Sequence, residues 1–206
     1  MPGKNTLKVY VLDYFYHIYN RGWNRTEIFL DELDYLYFER LLAQRLSPSP
    51  VKDAKGREYM WLRGKIDLVS YCLMPNHFHL LVYQRDIKGV SKLLQSVCTA
   101  YTIYFNKKYK RRGPLLENRF KAVLIQFDAQ LQHITRYIHL NHKDFRTWPH
   151  ASYKDYLSPK ATREWVQPQP ILDLFDNIEQ YKIFVDDYEA LQRENDKLKK
   201  ELADAI

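Results

Sequence analysis

Two histidines flanking one bulky residue, His77-Phe78-His79, are the side chains of this sequence best suited to hold a cation. In a strand alternate side chains share a face, so both imidazoles would project from one side while Phe78, Leu80 and Val82 project from the other. Such a pair is half of a metal site; its other reading is a packed cross-strand pair without a ligand. A second set follows. His133, Tyr137 and Asn141 lie four residues apart in a stretch of helical periodicity, stacked on one flank beside a seam of Leu131, Ile134, Ile138 and Phe145. Asn141 would add the neutral oxygen that an imidazole pair lacks for a hard divalent cation. Positions would stay open for water and a phosphate oxygen, with the Tyr137 hydroxyl close by as nucleophile. A tyrosine beside a core seam can equally be packing alone.

These residues need elements to position them. Leu68, Val69, Tyr71, Cys72 and Leu73 form one apolar run and His77 to Tyr83 a second, with Pro75-Asn76 as a tight turn, so the histidines open the second strand of a hairpin. Residues 9–20 read as an earlier strand ending at Arg21-Gly22. Asp31 looks like the N-cap of a helix through Leu33, Leu36, Tyr37, Leu41 and Leu42 to Leu46, stopped by Ser47-Pro48-Ser49-Pro50. Val90, Leu93, Leu94, Val97, Tyr101, Tyr104 and Phe105 mark a second helix, residues 120–127 another strand, and Asp128 the cap of the helix that carries Tyr137. The order strand, helix, hairpin, helix, strand, helix implies an α+β domain, an antiparallel sheet with helices packed on one face.

The 206 residues carry 32 basic and 25 acidic side chains, a formal charge of +7, and 46% of them are hydrophobic. One substantial core is possible, and the charge favours a polyanionic partner, nucleic acid first, over a membrane. A basic run, Lys107, Lys108, Lys110, Arg111 and Arg112 with Tyr109 interleaved, could contact phosphates together with Arg119 and Lys121. It could also be a solvated helix end, where cations complement the helix dipole. With Cys72 and Cys98 as the only cysteines, neither a disulfide framework nor a thiolate zinc site is expected. No apolar run is long enough for a membrane span, which leaves the expectation of a cytoplasmic protein.

Four segments, YHIYNRG (16–22), YCLMPNHFHLLV (71–82), YFNKKYKRRGPLLENRFKAVLI (104–125) and RYIHLN (136–141), resemble the single-strand DNA transposases of the HUH class. The chain is most similar to the REP-associated tyrosine transposases. The resemblance implies His77 and His79 as metal ligands, Asn141 as the third ligand, Tyr137 as the catalytic tyrosine, and a ferredoxin-like, RNA-recognition-like sheet. It further implies Mg2+ or Mn2+ as cofactor, single-stranded or hairpin DNA as partner, and cleavage through a 5'-phosphotyrosine. Members usually continue Asn-Pro-Val; here the chain reads Asn141-His142-Lys143, and the missing proline leaves room for a longer catalytic helix. Two other readings use the same fold: a hairpin-binding protein without cleavage, and a metal-dependent phosphoester hydrolase that uses water in place of Tyr137.

The expected organisation is a transposase domain over residues 9–157, a linker over 158–170 and a helical extension over 171–206. In that extension Tyr181, Phe184, Tyr188, Leu191, Asn195, Leu198 and Leu202 alternate three and four apart. The first half of this seam would anchor to the domain, and the second half, narrow and flanked by charge, would pair two subunits as a coiled coil.

Overall fold

The computed structural model describes residues 11–117, 119–158 and 162–188. Strands β1 (Tyr14–Arg21), β2 (Ile66–Met74), β3 (His77–Gln84) and β4 (Lys121–Ile125) form one antiparallel sheet in the order β2-β3-β1-β4. Helices α1 (Glu32–Leu46), α2 (Gly89–Lys108) and α3 (Asp128–His139) alternate with them along the chain as the hydrophobic patterning requires. The antiparallel α+β architecture therefore agrees with the sequence reading.

Strand parity divides the molecule. Phe78, Leu80 and Val82 of β3 enter a core with Phe38 and Leu42 of α1 and Leu93, Val97 and Tyr101 of α2. Leu81, of opposite parity, joins Val69 and Cys72 of β2 and Leu131 and Ile138 of α3 in a second core. So α1 and α2 share one face and α3 lies across the other, which is the face His77 and His79 point from; this corrects the expectation of helices on one face only, because both faces of the sheet are apolar and each needs a cover. Burial of both faces explains why β2 reads as a continuous apolar run without alternation.

Local chemistry sets the ends of the elements. Asp31 caps α1 by accepting the Asp34 N–H at 3.2 Å. Asp128 is the first residue of α3 and not its cap; that position is held by Phe127, whose side chain makes no capping bond. Gly22 ends β1 where a Cβ would meet the Thr26 carbonyl oxygen at 2.0 Å, so only glycine lets the chain turn back there.

After α3 the chain covers the outer edge of β2. Ala151 pairs with Cys72, and short helices α4 (Tyr153–Leu157) and α5 (Gln169–Leu172) follow. Within 158–170, Val166 is buried and pairs with Leu68, so the described part of that segment packs on the sheet edge. Residues 178–188 are helical, with Tyr181 and Val185 buried in the α3 core. The paired half of the expected coiled coil, from Leu191 onward, lies outside the described residues. No helix among the described residues is long and apolar enough to cross a membrane.

Candidate active site

β1 and β3 are the two central strands, and their register pairs Arg21 with His77 and Tyr19 with His79. Directly opposed residues share a face, so the two histidines rise from the sheet beside Arg21 and Tyr19, with His17 one step further along β1. The two-residue turn Pro75-Asn76 brings His77 to the very start of β3, at the open end of the sheet.

α3 supplies the remaining groups. The helix stops at His139, and Leu140 closes it, so the missing proline does not lengthen it. Asn141 leaves the last turn and reaches back over the sheet, its Oδ1 lying 3.0 Å from His77 Nε2. Tyr137, one turn earlier, stands edge-on to His79 with ring centroids 5.4 Å apart and an interplanar angle of 84°. It is 47% exposed, which leaves its hydroxyl open to a ligand approaching from solvent. His133, on the same flank in sequence, faces away from the pair: its Nδ1 accepts from Arg136 at 2.7 Å and its ring lies near Phe184.

The ring nitrogens are oriented by their partners. Asn76 donates its Nδ2 to the Arg25 carbonyl at 3.4 Å, which turns its Oδ1 toward His77 Nδ1 at 2.6 Å. His77 Nδ1–H therefore donates there, and the Nε2 lone pair points at the Asn141 carbonyl oxygen. Two lone pairs facing each other at 3.0 Å suit a positive charge bound by both. His79 Nδ1 lies 2.9 Å from His17 Nε2, and among the described residues no hydrogen bond engages His79 Nε2. Burial pulls all three imidazoles below the ordinary histidine range, His17 to about 4 and His79 to about 2, so they are neutral and able to ligate at pH 7. Among the described residues no three His, Cys, Asp or Glu side chains make a metal-binding cluster. A third protein ligand would have to be an amide oxygen such as that of Asn141. Two imidazoles and one amide with open positions could hold a divalent cation and lack the thiolates of structural zinc.

His17 and Asn76 were not singled out in the sequence. The trace of His17 there is parity, since His17, Tyr19 and Arg21 alternate along one strand, and that of Asn76 is its place in the Pro75-Asn76 turn; neither gives the partner group.

The basic run divides. Lys108 Nζ binds Asp31 at 2.7 and 2.8 Å and the fully buried Asp34 at 2.7 Å, while the Tyr109 hydroxyl donates to Asp34 at 2.8 Å. These two tie the end of α2 to the start of α1, which corrects their reading as phosphate contacts. Lys107, Lys110, Arg111 and Arg112 are exposed, as is Arg119. Lys121 lies on the active-site face with its ammonium 5.6 Å from the Tyr19 ring centroid.

Residues 58–141 match the family model described as "Transposase IS200 like". No curated protein matches the sequence. Among solved structures, a REP-associated tyrosine transposase bound to a REP hairpin superposes with a TM-score of 0.54, at 13% identity, over 78% of this chain and 89% of that one. A protein described as a transposase from Deinococcus radiodurans R1 superposes with a TM-score of 0.40, at 16% identity, over 66% of this chain and 95% of that one. At such identity the first likeness speaks for the fold alone.

Proposed function

We propose that this chain, whose residues 58–141 match the IS200-like transposase family, cleaves and rejoins single-stranded DNA beside hairpins, with divalent-metal assistance, through a 5'-phosphotyrosine. The observation that carries the proposal is convergence. His77 and His79 on β3 and Tyr137 and Asn141 around the end of α3, far apart in sequence, meet on one exposed face. A protein that only binds hairpins needs none of this arrangement.

His77 Nε2, His79 Nε2 and Asn141 Oδ1 would hold the cation, which when bound polarises the scissile phosphate and offsets charge on its oxygens. Asn76 and His17 orient the two imidazoles through their second nitrogens, the usual task of groups behind a metal ligand. Tyr137 sits on a helix packed by Leu131 and Ile138, so its hydroxyl is delivered from a rigid support. Its oxygen attacks phosphorus, the bond from phosphorus to the 3' oxygen breaks, and that oxygen leaves as a hydroxyl. The phenolic proton passes to solvent and one is taken up by the leaving oxygen. One phosphodiester replaces another, so attack by a 3'-hydroxyl reverses the step without ATP. The hairpin in the REP-associated relative supports a folded strand as the substrate here.

Denaturing electrophoresis of the protein mixed with hairpin-bearing single strands and Mg2+ tests the reading. A covalent protein–DNA band is expected. Retardation seen only in native gels would reduce the protein to a DNA binder, and multiple turnover of a small phosphoester would make it a hydrolase.

A further inference from the structure

A cavity of about 370 Å3 opens beside His77, and its walls include Tyr19, Arg21, Arg25, Glu117 and Lys121 but not Tyr137. That volume lies at the small end of ligand pockets and accommodates one nucleotide unit. His77 belongs both to this cavity and to the pair that would hold the cation, so whatever fills it lies next to the scissile phosphate.

Three cations surround a single carboxylate here. Arg21 engages Glu117 through Nε and Oε1. The Arg25 side chain has no partner among the described residues, and its backbone is fixed in the left-handed region, at φ 61°, by the turn at Gly22. Among those residues Lys121 is held only by the Tyr19 ring. The net positive surplus suits a phosphate, but a site for phosphate alone gains nothing from Glu117. The backbone that carries the carboxylate is also fixed: the Glu117 N–H donates to the Arg21 carbonyl at 2.9 Å, and the Glu117 carbonyl accepts from Asn20 Nδ2 at 3.2 Å. Its Oε2 accepts no hydrogen bond from the described residues, so it can accept one from a ligand.

Such a carboxylate selects among base edges. An unpaired base offers its Watson–Crick edge to the protein. Guanine presents two adjacent donors there, N1–H and the N2 amino group, matching the two oxygens of a carboxylate. Adenine and cytosine set an acceptor beside their amino group, and thymine flanks its one donor with acceptors, so each would meet the carboxylate with like charge.

We propose that this cavity takes one unpaired guanine of the DNA strand, its N1–H and N2–H edge on Glu117 and its phosphate on Arg25 and Lys121. The assignment rests on the single-strand reading above and adds a specificity residue to it.

The test measures binding of the full chain by fluorescence anisotropy without added metal, so that no cleavage is needed. The probes are an oligothymidine and the same strand with one central thymidine replaced by guanosine, inosine, adenosine or cytidine. The guanosine strand should bind about tenfold more tightly than oligothymidine, within the range of one bidentate base contact, and inosine, lacking the N2 amino group, should lose most of that gain. Glu117→Gln should abolish the preference while holding oligothymidine within a few-fold, and Arg25→Ala should weaken all strands alike. Equal affinity for the five strands, or a guanosine preference that survives Glu117→Gln, would overturn the assignment. Failure of every strand to bind, and of a hairpin-bearing strand as well, would instead overturn the single-strand reading on which it rests, while binding of the hairpin-bearing strand alone would overturn the guanine assignment.

Discussion

His17 Nε2 lies 2.9 Å from His79 Nδ1, with the two rings stacked at a centroid distance of 5.1 Å and both buried. If Nδ1 of His79 donates this bond, its Nε2 keeps the lone pair that ligation needs, and His17 becomes the group that selects the tautomer. His17→Ala should weaken Mn2+ binding about tenfold or more, as loss of such a partner commonly does, with the circular dichroism spectrum unchanged. His17→Gln, which can still accept the bond, should recover part of the affinity. Unaltered Mn2+ binding in His17→Ala would make His17 a packing neighbour only.

Lys108 and its neighbours should separate by experiment as they do in space. Replacing Lys107, Lys110, Arg111 and Arg112 by Gln should flatten the salt dependence of DNA binding, by roughly 0.7 in log K against log salt for each phosphate that is no longer neutralised. Lys108→Gln should leave that slope nearly intact and instead cost about 2 kcal/mol of stability in urea melts, because the fully buried Asp34 is deprived of a charged partner. An intact salt slope in the fourfold variant would return the run to a solvated helix end.

His139 is fully buried, bonded through Nδ1 to the Tyr181 hydroxyl at 2.6 Å and through Nε2 to Ser152 Oγ at 2.9 Å. Burial lowers its pKa from 6.5 to about 3. The unfolded chain therefore takes up a proton on this residue below about pH 6.5 while the folded protein does not, so its contribution is present above that pH and is lost as pH falls toward 3. The slope approaches about 1.4 kcal/mol per pH unit. His139→Gln should be less stable at pH 7 yet show a shallower decline from pH 6.5 to 4 than the parent in chemical denaturation. Parallel declines would contradict the assignment.

Much of this was legible in the sequence for a definite reason. Period two around His77-Phe78-His79 and period near 3.6 around Tyr137 report faces, and a face is enough to nominate a site. What periodicity cannot report is which distant element lies opposite. His17 meets His79 only through the β1–β3 register, and Lys108 meets Asp34 only through the packing of α1 on α2. The prolines of Val166-Gln167-Pro168-Gln169-Pro170 resemble a linker because proline donates no backbone hydrogen bond, yet the Gln167 N–H donates to the Leu68 carbonyl at 2.8 Å on the edge of β2.

The tail offers a test of assembly. Tyr181 is buried against Tyr156 and His139, which anchors the start of the last helix to the domain. We propose from the heptad spacing of Leu191, Asn195, Leu198 and Leu202 that the following residues pair two chains. Truncation after Ala190 should convert a dimer to a monomer in sedimentation equilibrium while Mn2+ binding is retained. A full-length chain that sediments as a monomer at tens of micromolar would reject pairing.

The central claim is that Tyr137 becomes covalently joined to DNA, and a single comparison measures it. The parent and Tyr137→Phe are each incubated with a hairpin-bearing single strand labelled on the 3' side of the expected break, with Mg2+ or Mn2+, and resolved under denaturing conditions. The parent should carry the label on the protein and Tyr137→Phe should not, while both bind the uncleaved strand within a few-fold, because only one hydroxyl among many phosphate and base contacts is removed. A labelled adduct of undiminished yield in Tyr137→Phe would place the nucleophile elsewhere and contradict the account.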